Sequence, residues 1–278
     1  MSELSKVRAD YARRMAEESG WSDPRIEEAF AAVEREKFLP PAPWRIRTGG
    51  HLWARRTSDP ADLYDDVLVA LDAKKGINNG EPFLHARWIG VCAPQPGETV
   101  TQVGAGTGYY TAVLSRLVGP GGQVEAFEIE PELAAAAARN LAGFDNVTIR
   151  DDDATSVGIA ASDIVYVNAG VVCPPVAWIA ALKPGGRLVF PWRPSEEIGL
   201  ALLVRRLPSG FSALPFMGSW FIPCVGASAA RFQDRLPTPA GARATRSLWF
   251  TGQHAPDETA TATFREVWFS SADIEPRQ

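Results

Sequence analysis

Cysteine, histidine, long apolar runs and an excess of basic charge are all scarce here, and each scarcity removes a class of function. The three cysteines, Cys92, Cys173 and Cys224, stand far apart. They form no C-x-x-C pair and no disulfide framework, and read as small buried hydrophobes. The three histidines, His51, His85 and His254, leave no histidine-rich metal site, so no metal is expected. No apolar run nears the roughly 18 residues a membrane helix needs. The opening MSELSKVRADYARRM is charged and amphipathic and lacks the apolar stretch of a secretory signal. A cytoplasmic protein without membrane contact is therefore expected, and the glycosylation-like Asn146-Val147-Thr148 carries no meaning in one. Acidic residues outnumber basic ones, 33 to 28, for a net charge of −5. Nucleic-acid binders show the opposite balance, so no nucleic-acid partner is expected.

What is present is ordinary globular material: 278 residues, 46% hydrophobic, with 24 glycines and 22 prolines that mark many turns. Residues 4–38 predict two helices. Asp23-Pro24 starts the second, and Ile26, Phe30, Val33 and Phe38 recur along it. Residues 39–61 predict a loop whose Trp44 and Trp53 either pin it to the core or make it a lid. Residues 62–90 are mixed. From 98 to 192, short apolar runs alternate with helical stretches: ETVTQVG, YYTAVLSRLVG, QVEAFEIE, PELAAAAARNLAGF, NVTIRDDD, DIVYVNAG, VAWIAALKPGG, RLVFPW. This is the pattern of an α/β, doubly wound, mostly parallel sheet. Gly119 and Gly143 are the expected helix stops. ALLVRRL, WFIPCV, SLWFTG and FREVWFS then predict a β-rich end. The expected organisation is one domain over 1–230 with N-terminal helices, followed by a β-rich extension over 231–278.

The sharpest local signal is Val103-Gly104-Ala105-Gly106-Thr107-Gly108-Tyr109, between a predicted strand and a predicted helix. Glycines admit positive φ and close ligand approach, and the helix N-terminus offers unpaired N–H groups. The dinucleotide fingerprint is G-x-G-x-x-G, and Tyr109 stands where its third glycine belongs. The shorter G-x-G-x-G spacing is that of Rossmann-like methyltransferases that bind S-adenosylmethionine. Glu128 stands 20 residues past Gly108, at the end of the next strand, with Ile129 beside it. A carboxylate there accepts from both ribose hydroxyls of an adenosine, the alternative being a solvated strand-end acid like Glu125 and Glu130. Asp151-Asp152-Asp153 follows the NVTIR strand, and Asp153, with Asp152, is the choice to face an adenine amino group rather than to form a plain turn.

These residues also carry a family resemblance, spread over about residues 24–226. Val33-Glu34-Arg35-Glu36-Lys37-Phe38-Leu39-Pro40, Leu63-Tyr64-Asp65-Asp66, the Gly104–Tyr109 loop, Asn146 to Ala154, Val167-Asn168-Ala169-Gly170, Leu182-Lys183-Pro184-Gly185-Gly186-Arg187-Leu188 and Phe221-Ile222-Pro223 resemble segments of the protein-L-isoaspartate O-methyltransferases. The resemblance implies a class I methyltransferase fold, S-adenosylmethionine as cofactor, and a peptide, protein or small carboxylate as acceptor. It implies that Gln102, Gly104, Gly106, Gly108, Tyr109, Glu128, Ile129, Asp152, Asp153 and Asn168 surround the cofactor. It also implies that Asn78, Asn79 and Gly80 form the acceptor loop with Asn168 opposite.

Three departures bear on the substrate. With Pro82 fixing the register, Gly80 stands where the family has a serine that helps hold the carboxylate. The backbone N–H and two asparagine amides remain as expected donors. Gln102 replaces a glutamate, and the 41–61 loop and the extension after 230 are additions that would cap or reshape the substrate cleft. The chemistry suits the chain's poverty of bases, because a carboxylate acceptor is ionised at neutral pH and needs none. His85 is the one candidate base, with a packed or surface histidine as the alternative; Tyr64 and Asp66 either line the cleft or support the fold. Two further readings stay open: a relative diverged onto another carboxylate, and a non-catalytic cofactor- or peptide-binding module. A nicotinamide oxidoreductase is disfavoured by the glycine spacing.

Overall fold

The structure is a computed structural model that describes residues 2–47, 55–231 and 233–274. The chain opens on helices α1 (Glu3–Ser19) and α2 (Arg25–Ala32). The expected signal starts α2: Pro24 precedes its first residue, and the Asp23 carboxylate accepts from the Arg25 N–H at 2.9 Å. Residues 39–61 are not the expected loop. They contain strands β1 (Trp44–Arg47) and β2 (Arg55–Thr57), and a short 3₁₀ turn opens at Pro60. Alternation explains the difference: Trp44 and Ile46 are buried while Arg45 is exposed, a two-residue period that arginines mask in a composition-based reading. Trp44 pins this segment through its indole N–H to the Pro40 carbonyl at 2.8 Å. Trp53 and His51 lie outside the described residues.

The chain continues through β3 (Leu68–Asp72), β4 (Ile77–Asn78), α3 (Pro82–Cys92), β5 (Thr99–Val103), α4 (Tyr109–Val118), β6 (Gln123–Phe127), α5 (Pro131–Asn140), β7 (Val147–Arg150), β8 (Ser162–Val167), α6 (Val176–Ala180) and β9 (Leu182–Ser195). It ends with β10 (Ile198–Leu207), β11 (Gly210–Gly218), α7 (Pro239–Ala244), β12 (Ser247–Phe250), β13 (Ala260–Thr263) and β14 (Val267–Ser270). The strand–helix alternation expected from 98 onward is present. Gly119 caps α4 with φ 65°, as expected. Gly143 does not stop α5, which ends at Asn140 with Leu141 as its cap.

The chain divides into two compact units. Unit 1 is Met1–Glu98 with Ala105–Asp151, and unit 2 is Thr99–Gly104 with Asp152–Gln278. In unit 1, a four-stranded antiparallel sheet runs β2-β1-β3-β4, and β6 pairs with β7 in parallel. In unit 2, β5 pairs with β8 and β8 with β9, both in parallel, after which β9, β10, β11 and β12 add antiparallel. β14 then pairs with β12, and β13 with β14. The strands of the expected 231–278 extension thus continue the sheet of unit 2.

WFIPCV is not the expected strand. Within it only Pro223 makes a bridge, to Gly170, and Trp220 is 63% exposed. Proline has no N–H to give a ladder, which is the physical reason. β11 and β13 escaped the sequence reading because GFSALPFMG carries a proline and ATAT carries little hydrophobic contrast. Burial pushes the thiols of Cys173 and Cys224 up to about 12, which makes them inert packing.

Candidate functional site

The glycine loop in unit 1 is built around one carboxylate. Gly106 and Gly108 take φ values of 57° and 95°, in the left-handed region. A Cβ on Gly108 would lie 2.6 Å from the Leu141 side chain, and one on Gly106 3.2 Å from that of Leu71. Conformation therefore favours glycine at both positions, and space favours it at Gly108. The Gly106 N–H donates to one oxygen of Glu128 at 2.7 Å, and the Glu130 N–H donates to the other at 3.0 Å. Glu128 is 6% exposed. Burial raises its pKa, and the backbone N–H groups of Glu130, Gly106 and Ile129 oppose that shift. An ionised carboxylate has about four lone-pair sites, so acceptor capacity remains after these two bonds. Next in sequence, Ile129 is 40% exposed, an apolar side chain adjoining a buried acid.

Gly108 caps α4, which starts at Tyr109. The Tyr109 side chain points into the core: its hydroxyl meets that of Tyr11 at 3.2 Å, and its ring packs edge-on against Phe38. Thr107 donates to the Phe38 carbonyl, and Asn140 donates to the Thr107 carbonyl at 2.9 Å. The loop is fixed from both sides before any ligand arrives.

Unit 2 holds Gln102, Gly104, Asp152, Asp153 and Asn168. Gln102 is fully buried within β5, opposite Tyr166 of β8. Asn168 follows β8; its amide donates to the Gly104 carbonyl at 3.0 Å, and its own buried Oδ1 has no partner among the described residues. Gly104 takes φ 80°. Asp152 is exposed. Asp153 accepts from both the N–H and the hydroxyl of Thr155 at 2.8 Å, so it shapes the turn that follows β7.

The expected acceptor loop lies in unit 1, and most of its donors are engaged within it. The Gly80 N–H donates to Asn78 Oδ1 at 2.9 Å, and Asn78 Nδ2 donates to the Gly76 carbonyl at 3.3 Å. Asn79 Oδ1 accepts from the Val69 N–H at 2.9 Å and from Arg35 at 3.3 Å. Of the amide donors counted on from the sequence, the second N–H of Asn78 Nδ2 and the Nδ2 group of Asn79 are left, the latter buried and without a partner among the described residues.

Gly80 has φ 76°. A Cβ there would stand 2.2 Å from His85 Nε2 and 2.7 Å from Cδ2, so the imidazole fills the place of a side chain on residue 80. His85 is 1% exposed and stacks on Tyr110 with ring centroids 3.6 Å apart. Burial first, and the Arg35 charge second, push its pKa down to about 3. It is a packed neutral ring, not a base. Arg35 is the residue the sequence reading missed. Fully buried, it donates to the carbonyls of Leu63, Asp65 and Val67 as well as to Asn79. Its signal was its place in the Val33–Pro40 segment, quoted there for resemblance alone.

Tyr64 and Asp66 are supports. The Tyr64 hydroxyl donates to Glu36 and accepts from Arg8 and from the Arg35 N–H. Asp66 accepts from the Phe83 N–H at the start of α3, and burial raises its pKa.

Known proteins resemble this chain in sequence and fold. A profile of the family described as Protein-L-isoaspartate(D-aspartate) O-methyltransferase matches residues 55–229. A protein-L-isoaspartate O-methyltransferase of Aeropyrum pernix is 31% identical over 191 residues, 67% of this chain and 66% of that protein, just under two thirds of its length. One from Methylorubrum extorquens is 32% identical over 231 residues, 81% of this chain and 92% of its own. A Plasmodium falciparum chain solved with S-adenosyl-L-homocysteine shares the fold, with a TM-score of 0.62 at 16% identity over 79% of this chain and 98% of that one.

Proposed function

We propose that this chain, which belongs to the protein-L-isoaspartate O-methyltransferase family, transfers the methyl group of S-adenosylmethionine to a carboxylate on an isoaspartyl or aspartyl peptide. The fold is the class I methyltransferase fold. The observation that carries the reading is Glu128: a buried carboxylate, tied by two backbone N–H groups to the glycine loop, with lone pairs left over and an exposed apolar neighbour.

When bound, S-adenosylmethionine supplies an electrophilic methyl group on a sulfonium. This chain's residues hold and align the partners. Glu128 accepts from the ribose hydroxyls and Ile129 packs against the adenosine. Gly106 and Gly108 keep the loop free of side chains, and the N-terminus of α4 at Tyr109 points its N–H groups into the same loop. Gln102, Gly104 and Asn168 bound the methionine part, and Asp152 with Asp153 faces the adenine. On the acceptor side, the donors that remain are the second N–H of Asn78 Nδ2 and the Nδ2 group of Asn79. The acceptor carboxylate is ionised well below neutral pH, so no residue has to take a proton. Catalysis rests on alignment and exclusion of water. The absence of a basic imidazole at His85 agrees with this.

The second reading, a carboxylate other than isoaspartyl, is favoured by one observation: the side-chain place on residue 80 is taken by His85. Methyl transfer from labelled S-adenosylmethionine to isoaspartyl and aspartyl peptides separates the readings, with donor binding measured by calorimetry on the same sample. Selective labelling of the isoaspartyl peptide is expected. Donor binding without transfer to either peptide redirects the search to other carboxylates.

A further inference from the structure

The four-stranded sheet of unit 1 has one row of side chains that is chemically unlike the rest of this acidic chain. Arg45 of β1 lies directly opposite Arg56 of β2. Ile46 pairs with Val69 and Arg47 with Leu68, so one further step in that antiparallel register sets Arg45 beside Ala70. Ala70 pairs with Asn78 of β4. The row across the sheet therefore reads Arg56, Arg45, Ala70, Asn78. Residues directly opposite on neighbouring strands share a face. Burial agrees: Trp44, Ile46 and Val69, on the other face, are buried, while Arg45 and Arg56 are exposed.

Two like charges directly opposite each other destabilise a strand pair. No described residue forms an ion pair or hydrogen bond with the side chain of Arg45 or Arg56. By contrast, the neighbouring Arg55 is paired with Asp62. The two arginines thus form a positive strip that costs the fold something and is not neutralised by any described residue. The strip ends, at its other edge, on the turn that begins with Asn78. Among the described residues of the row, the side chain between is the methyl of Ala70, which leaves the path along the row low.

We propose that this strip recognises acidic residues flanking the acceptor carboxylate; the proposal rests on the reading that the Asn78–Gly80 turn holds that carboxylate, through the Asn78 amide on the strip's own face. The geometry sets the spacing. Strands lie about 4.8 Å apart, so Arg45 is about 10 Å and Arg56 about 14 Å from Asn78 along the row. An extended peptide advances about 3.3 Å per residue. An acidic side chain three or four residues from the methylated one meets the arginines. The occupant is an extended, acidic stretch of a protein substrate, and its orientation is fixed because the strip lies on one side of the turn alone.

The test uses the full chain, its R45E/R56E variant, and isoaspartyl peptides carrying two glutamates or two lysines three and four residues away, on either side. For the wild type, KM at low salt is about fivefold lower with glutamates than with lysines, for one side only. The gap closes at about 1 M salt, where the screening length is about 3 Å. R45E/R56E reverses the preference while kcat, the affinity for S-adenosylmethionine and the melting temperature stay unchanged. Peptide Kd is read in parallel by fluorescence anisotropy, with no methyl donor present. Equal KM and Kd for both flanks, or a preference that survives R45E/R56E, overturns the strip, whether or not the peptides are methylated. A preference in Kd that reverses with R45E/R56E, with no peptide methylated, keeps the strip and overturns the reading of the turn as a carboxylate methyltransferase site.

Discussion

Two glycine turns in unit 1 use the same backbone conformation to opposite ends. At Gly106, with φ 57°, the N–H is held by a carboxylate that keeps spare acceptor capacity, and the nearest neighbour to a built Cβ is a leucine methyl at 3.2 Å. At Gly80, with φ 76°, the N–H is consumed by Asn78, and the Cβ place is occupied by a ring nitrogen at 2.2 Å. The first turn keeps a carboxylate with spare acceptor capacity beside its N–H, and the second is packed shut from behind. A glycine in a site can thus mean room for a substrate or room for the protein's own side chain, and only its neighbours distinguish the two.

The comparison breaks most sharply at residue 80. Gly80→Ser is expected to cost about 3 kcal/mol in chemical denaturation, because it adds a clash with His85 to left-handed strain. Gly80→Ser with His85→Ala is expected to cost less than the sum of the two single changes, since each relieves the other. Additive losses would show that the imidazole does not occupy the place of that side chain.

At the open turn, Glu128→Ala is expected to weaken S-adenosylmethionine binding about a hundredfold by calorimetry, through loss of two hydrogen bonds to a charged acceptor. Glu128→Gln should weaken it less. Because burial raises the Glu128 pKa, the acid takes up its proton above the ordinary carboxylate range. Donor affinity should therefore fall as pH falls through that raised value, and Glu128→Gln should flatten the fall. An unchanged affinity in Glu128→Ala removes Glu128 from the cofactor site.

A third effect belongs to the closed turn. His85 is held neutral with a pKa near 3, against about 6.5 in the unfolded chain. The unfolded chain takes up a proton as pH falls through 6.5, and the folded chain does not until about 3. Stability is lost across that window. Between pH 7 and pH 5 the loss from this one group is about 2 kcal/mol. His85→Phe, which keeps a ring against Tyr110, should lack that part of the acid sensitivity in denaturation midpoints at the two pH values.

The smallest effect sharpens the first. Gly76 has φ 72°, almost the value of Gly80, with nothing within 4 Å of a built Cβ. Gly76→Ala should cost only the left-handed strain, about 1 kcal/mol. The difference between Gly76→Ala and Gly80→Ala then measures the clash with His85 alone.

Much of this was legible in advance. The strand–helix alternation from Thr99 to Arg150 follows from hydrophobic period, and Gly106, Gly108 and Glu128 are named by spacing along the chain. These features are local, so a window of 20 to 30 residues contains them. Arg35 was not legible as a buried support of the Asn79 side chain, because its partners Leu63, Val67 and Asn79 are remote in sequence. The β1–β2 pair was not legible either, since alternating arginines and short strands carry weak hydrophobic contrast. The donors of Asn78 and Gly80 were overcounted, because a sequence shows which groups can donate and not which are spent on each other.

The sequence by itself determined the glycine loop, the acid that follows it and the alternation of elements, since each depends on local sterics and periodicity. Only the tertiary structure decided that the imidazole of His85 fills the side-chain place of residue 80, that the Asn79 Nδ2 group has no partner among the described residues, and that Arg56, Arg45 and Asn78 share a row. Those facts depend on which distant segments are brought within a few ångströms of one another. Packing and strand register set that proximity, and no local window of sequence encodes it.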